Sequence, residues 1–175
     1  MIEGEQRKAQ ILAALQQAEK PISATSFAKK FGVSRQIVVG DVALLRASGE
    51  NIIATARGYL LERESEKLIS KIAVQHDRSQ AETELRTIID QGGEVIDVIV
   101  EHPLYGELAG GLHLTTQKDV DRFLNQAQKN QAAFLSELTD GIHLHTIAYD
   151  SLEDLAKIKQ ALSDKGILYE ENRHA

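Results

Sequence analysis

His143-Leu144-His145 sets two imidazoles two residues apart. On a β-strand, residues i and i+2 share a face with Cα atoms about 6.5–7 Å apart, so both rings can reach one metal ion. Ile142 and Leu144 then face the other way, toward helices, and the His pair falls on a sheet face that the main core does not need. Two solvated polar side chains on an exposed sheet are the plain alternative. His76 and Glu84 favour the ion. His76 stands where a strand gives way to a loop, and Glu84 lies on the following helix, flanking the apolar stripe of Ala81, Leu85 and Ile88. An unpaired carboxylate beside such a stripe is costly to bury, and a cation or an imidazole would satisfy it; a surface acid at the helix edge is the alternative. With no cysteine in 175 residues, only nitrogen and oxygen ligands are available. Three imidazoles and a carboxylate suit zinc, nickel, iron or cobalt better than magnesium or calcium.

A second constellation is His102-Pro103-Leu104-Tyr105-Gly106, a stiff turn with an imidazole and an aromatic ring at the end of an apolar strand. It can hold a small acid or aromatic ring, or it is an ordinary strand-ending turn. Gly110-Gly111 and His113 are weaker signals, the first equally a bulge. No nucleophile–base pair stands out, nor any Gly-rich phosphate loop. A metal with an open position could still activate water, so a metal-dependent hydrolase stays a rival reading, although the chain reads as no enzyme.

The third constellation faces DNA. Val38, Val42 and Leu45 recur at i, i+4 and i+7 and form one buried stripe. Ser34 sits at the N-cap, where its hydroxyl can accept from a free helix N–H. Arg35, Gln36, Val39 and Gly40 are expected to point away from the stripe, where a major groove could receive them. A shorter helix over 22–31 precedes, and Gly32 supplies the tight turn. Gly40 is unusual in mid-helix: it lowers helix stability by about 1 kcal/mol relative to Ala and removes a base contact, so readout rests more on Arg35 and Gln36, since Arg commonly reads guanine and Gln adenine.

Other elements must position these groups. A first amphipathic helix spans Glu5 to about Gln17, and Ser48-Gly49 closes the third. Residues 51–61 read as strand, turn, strand with Arg57-Gly58 at the tip, completing a winged helix-turn-helix over 1–62. The charged stretch 62–67 marks a boundary. Over 68–175 an α+β sheet domain follows, with helices against one face: a strand near 69–74, a capping box at Ser79–Glu82, a helix to Asp90, a strand over 95–100, extended chain over 108–114, a helix to about Gln128, a strand over 142–148, a helix over 152–162, and a short last strand at 167–169. The net charge is −6, but residues 1–62 carry 8 Lys+Arg against 6 Asp+Glu, and residues 63–175 carry 12 against 20. The DNA module is therefore the relatively basic part, and the acidic remainder is kept off the duplex. No run approaches membrane-spanning length, and Met1–Glu5 is no secretion signal; a cytoplasmic protein fits.

Together these features resemble the niacin-responsive transcriptional repressors (NiaR type), which join a winged helix-turn-helix to a 3H domain. His76, the 102–106 turn and Gly141-Ile142-His143-Leu144-His145 carry the resemblance more specifically than the 33–46 segment. It implies repression of NAD-biosynthesis or niacin-salvage genes, with niacin as corepressor. It also implies a divalent transition metal held by His76, Glu84, His143 and His145. On this reading Ser34, Arg35, Gln36, Val39, Gly40 and the wing residue Arg57 meet double-stranded operator DNA, His102 and Tyr105 contact the ligand, and the working form is a homodimer. A transition-metal-sensing repressor is the other rival.

Overall fold

The computed structural model describes residues 2–130 and 133–170. Met1, the first residue of the segment tested for a secretion signal, and the end of the second domain past Glu170 lie outside the described residues. Two compact units emerge, Met1–Ser65 and Glu66–Ala175.

The first unit is built from α1 (Gly4–Gln17), α2 (Ala24–Phe31), α3 (Arg35–Ala47) and the hairpin β1 (Ile52–Thr55)–β2 (Gly58–Leu61). Ile11 and Leu15 of α1, Phe27 and Ala28 of α2, and Val38, Val42 and Leu45 of α3 form its apolar core, closed by Ile52. Ser23 and Ser34 cap α2 and α3, accepting from the backbone N–H groups of Ser26 and Ile37. Gly32, at φ +66°, takes the left-handed turn between the two helices that a side chain with a Cβ disfavours. Ile22 pairs with Tyr59 through two backbone hydrogen bonds of 2.8 and 2.9 Å, which ties the wing to the start of α2. Inside the unit, Arg7 of α1 grips the buried carboxylate of Asp41 on α3 with Nε at 2.5 Å and Nη2 at 3.1 Å.

The second unit holds an antiparallel four-stranded sheet in the order β3-β6-β4-β5: β3 (Leu68–Gln75), β6 (Ile142–Tyr149), β4 (Glu94–His102) and β5 (Gly106–Leu114). Helices α4 (Ala81–Asp90), α5 (Gln117–Lys129) and α6 (Leu152–Asp164) complete it. Ile88 of α4, Val120 of α5, Ile158 and Leu162 of α6, and Val74, Val95, Leu114 and Ile147 of the sheet are fully buried.

Several local expectations are corrected. Ser79 does not open α4 through a capping box. Asp77 accepts from both the backbone N–H and the hydroxyl of Ser79, drawing residues 78–80 into a 3-10 turn, and α4 begins at Ala81. The second unit does have a capping box, at Thr116 and Asp119 ahead of α5. Residues 95–114 form one long hairpin across the Pro103–Tyr105 turn. Residues 167–169 do not form a separate strand: they meet β3 through a single bridge, Val74–Leu168. A short 3-10 turn over Leu135–Thr139 was not anticipated.

Candidate functional site

The His pair lies on the side opposite to that expected. His143 and His145 share the buried face of β6 with Ile147 and point at Glu84 of α4, whereas Ile142 is exposed and Leu144 half-buried. The polar cluster is therefore set into the helix–sheet interface itself. Glu84 is 2% exposed, in the first turn of α4, where the helix dipole favours an anion.

Three imidazoles surround this carboxylate. Nε2 of His76 touches Oε2, and Nε2 of His145 touches Oε1. Nε2 of His143 lies 3.2 Å from Oε2 and 3.1 Å from Nε2 of His145. Donor atoms of His76, Glu84 and His143 fall within 4.8 Å of one another, and His145 joins them through the same carboxylate.

The opposite ring nitrogens are all committed to backbone. Nδ1 of His76 donates to the Asp77 carbonyl at 2.6 Å, that of His143 to Gly141 at 2.9 Å, and that of His145 to Asp97 at 2.7 Å. An Nδ1–H held this way leaves Nε2 as a lone-pair donor. The neutral cluster would then set three Nε2 lone pairs against a carboxylate with no proton among them. Nε2 of His76 and Oε2 of Glu84, though in contact, are buried and lack a well-directed hydrogen bond. Burial pulls the His76 and His145 imidazoles down, but the charge and hydrogen bonds of Glu84 outweigh it and leave both raised above 6.5. Burial pushes the Glu84 carboxyl up, and the charge of His145 with the imidazole hydrogen bonds reverses this, holding it well below 4.5. Such a cluster must gather either protons or a cation, and its donor set suits a borderline transition metal.

Two supporting residues were not singled out for these roles. Gly141 stands at φ +86°, and a Cβ there would meet the His76 carbonyl oxygen at 2.2 Å. That close approach lets the Gly141 carbonyl accept from both the His76 N–H and the His143 ring. Asp97 lies where the β4 register shifts against β5 and β6. Its carboxylate accepts from the Thr146 N–H at 2.8 Å in place of a strand carbonyl, while its own carbonyl is freed for His145. The Gly before Ile142 was a visible signal for the first; nothing in the local pattern marked the second.

His102 and Tyr105 form a separate pair at the β4–β5 tip, ring centroids 5.1 Å apart. Nδ1 of His102 accepts from the Leu104 and Tyr105 N–H groups, and Tyr105 is 69% exposed.

In the first unit, Ser34, Arg35, Gln36 and Gly40 are exposed along α3. Val39 is a correction: it is half-buried and packs against the domain core, because one residue past buried Val38 is a rotation of only about 100°. Arg57 sits at the wing tip, half-buried, its N–H bonded to Thr55 Oγ1 at 3.1 Å. Among the described residues no helix is long and apolar enough to cross a membrane.

The 3H domain family matches residues 69–171, and a helix-turn-helix domain family matches residues 7–60. The chain is 36% identical over 167 residues to a probable transcription repressor NiaR of Thermotoga maritima, covering 95% of each chain. It is 37% identical over 172 residues to the transcription repressor NadR of Bacillus subtilis, covering 94% of each. An uncharacterized protein of Methanothermus fervidus is 36% identical over 104 residues, 55% of this chain and 16% of that one. With a DNA-binding fold ahead of a histidine-lined α+β domain and two repressors matched over nearly their whole length, the chain belongs to the NiaR-type transcription repressors.

Proposed function

We propose that this protein is a cytoplasmic, homodimeric repressor that binds operator DNA through its first unit and responds through its second to niacin and a bound transition metal, controlling genes of NAD biosynthesis or niacin salvage. One observation carries the sensor half: three imidazoles with their Nδ1 atoms spent on carbonyls converge on one buried carboxylate. His76, Glu84, His143 and His145 would hold the ion, a Lewis acid that would take up the three Nε2 lone pairs and the carboxylate. His102 and Tyr105 are the proposed niacin contacts. Ser34, Arg35, Gln36, Gly40 and Arg57 are the proposed DNA contacts, and Val39 supports them from the core side. Names of the relatives support repression over catalysis, and no catalytic acid–base pair is called for.

For the ligand to control the operator, it must bind one arrangement of the repressor better than another. The test measures binding to the protein's own promoter with and without niacin, before and after chelation. Niacin-dependent tightening that vanishes on chelation is expected; indifference to both would overturn the reading. A metal sensor is favoured by a different feature: all four side chains are buried between α4 and the sheet, so gain or loss of an ion there would be felt by both. Binding that follows the metal and ignores niacin would select that reading.

A further inference from the structure

The outward face of α3 has an unusual composition for a surface that meets a polyanion. Ile37 is 44% exposed and Leu44 57% exposed, and they stand seven residues apart on one side of the helix. Beside them Gln36, Gly40 and Ala43 form a second exposed stripe. Gln36 is the only hydrogen-bonding side chain on these two stripes. Asp41, the one acid of α3, is turned inward and held by Arg7. Cations flank the face: Lys29 and Lys30 at the end of α2, Arg35 at the start of α3 and Arg46 in its last turn, all exposed.

Gly40 needs explaining. Glycine in a helix interior is disfavoured against alanine, and nothing inside the protein demands it: no heavy atom lies within 4 Å of where a Cβ would stand, and its φ is not in the left-handed region. The fold gives no reason for a bare backbone at this point. Close approach by something outside the protein does.

We infer that α3 reads its operator by contact: Gly40 is where the edge of the major groove closes on the helix backbone, Ile37 and Leu44 meet thymine methyl groups, and Gln36 is the hydrogen-bonding reader of an adjacent adenine. This rests on the DNA-binding reading above and adds which residues discriminate and which bases they favour. The chemistry is that of the groove itself. Thymine presents its C5 methyl there, adenine presents N6 and N7 to a Gln amide, and guanine and cytosine offer no methyl to an isoleucine. Lys29, Lys30 and Arg46 hold the backbone while contributing no sequence information of their own, and Arg35 keeps its part as a reader of guanine. The occupant is thus an A·T-containing stretch of duplex DNA, favoured over a protein surface by the ring of cations and the inward-turned acid.

The full chain is used to select a duplex from a randomised pool, and each thymine of that duplex is then replaced in turn by deoxyuridine, which removes only the methyl. Wild-type affinity is expected to fall about fourfold, the worth of one buried methyl-sized group, at one or two positions per half-site. Ile37→Ala should lose that discrimination at one of them. Gly40→Leu should melt no lower than wild type and lose about tenfold or more in affinity for the selected duplex, the scale of one lost base-pair contact. Gly40→Ala, with the smaller intrusion, should fall between. Uracil tolerated at every position, with Gly40→Leu binding like wild type, overturns the inference and leaves DNA binding intact. Ile37→Ala or Leu44→Ala altering the oligomeric state without altering discrimination makes the face a protein interface, which also overturns it. Failure to select any duplex, with no salt-dependent binding, removes the DNA reading along with it.

Discussion

Each unit buries a carboxylate between elements, and the two are satisfied in opposite ways. In the first unit Asp41 meets one guanidinium, whose two N–H groups fit its two oxygens, a bidentate pair complete in itself. In the second, Glu84 meets three imidazoles whose other nitrogens are already spent. The first pair has as many donors as acceptors. The second cluster has a surplus of lone pairs and a shortage of protons. Burial alone therefore does not separate the two, since both carboxylates are buried; the imbalance of donors and acceptors does.

Removing each carboxylate is the sharpest way to break this comparison. Glu84→Ala should abolish stoichiometric metal binding, as read by metal analysis of the purified variant, while the three imidazoles left behind rest neutral and the second unit stays folded. Asp41→Ala should lower the melting of the first unit and leave metal content unchanged. Equal metal content in both variants would erase the distinction.

Gly141→Ala tests whether the cluster depends on a backbone approach. A methyl there collides with the His76 carbonyl, so both His76 and His143 must shift. Metal affinity should fall about 10- to 100-fold, the range seen when outer supports of metal ligands are lost, as measured by competition with a chromogenic chelator. Near-native affinity would mean that the Gly141 carbonyl is dispensable.

The smallest expected effect is one of pH, and its sign separates the two forms of the second unit. In the metal-free protein, the raised His76 and His145 contribute stability that is full below 6.5 and lost as pH rises through their folded values. The depressed Glu84 contributes stability that is present above 4.5 and lost as pH falls through its folded value. Metal-free stability should therefore be greatest between those limits and decline toward alkaline pH. Metal requires proton-free Nε2 atoms, so its added stabilisation should grow over the same rise. Urea midpoints from about pH 5.5 to 8.5 with and without metal should diverge; parallel curves would show that proton and metal do not compete for the same atoms.

Much of this molecule is legible in its local patterns. The stripe Val38, Val42, Leu45, the Ser34 cap and the Gly32 turn need only helical periodicity and the geometry of one chain end, and they stand where the spacing places them. The resemblance brought His76, Glu84, His143 and His145 into one proposal, and all four are buried in one cluster. Strand alternation correctly gave His143 and His145 a common face, but it cannot say which face, because a period of two is symmetric under exchange of sides. Only the docking of α4 decided that the histidines, and not Ile142 and Leu144, turn toward the helices. Val39 likewise depended on how far the core of the first unit reaches around α3. Asp97 is the clearest case of tertiary decision. Its role exists because a strand register shifts beside it, frees its carbonyl for His145 and hands its carboxylate to Thr146. Residues 48 positions apart in the chain settle that geometry, and no periodicity within either segment encodes it.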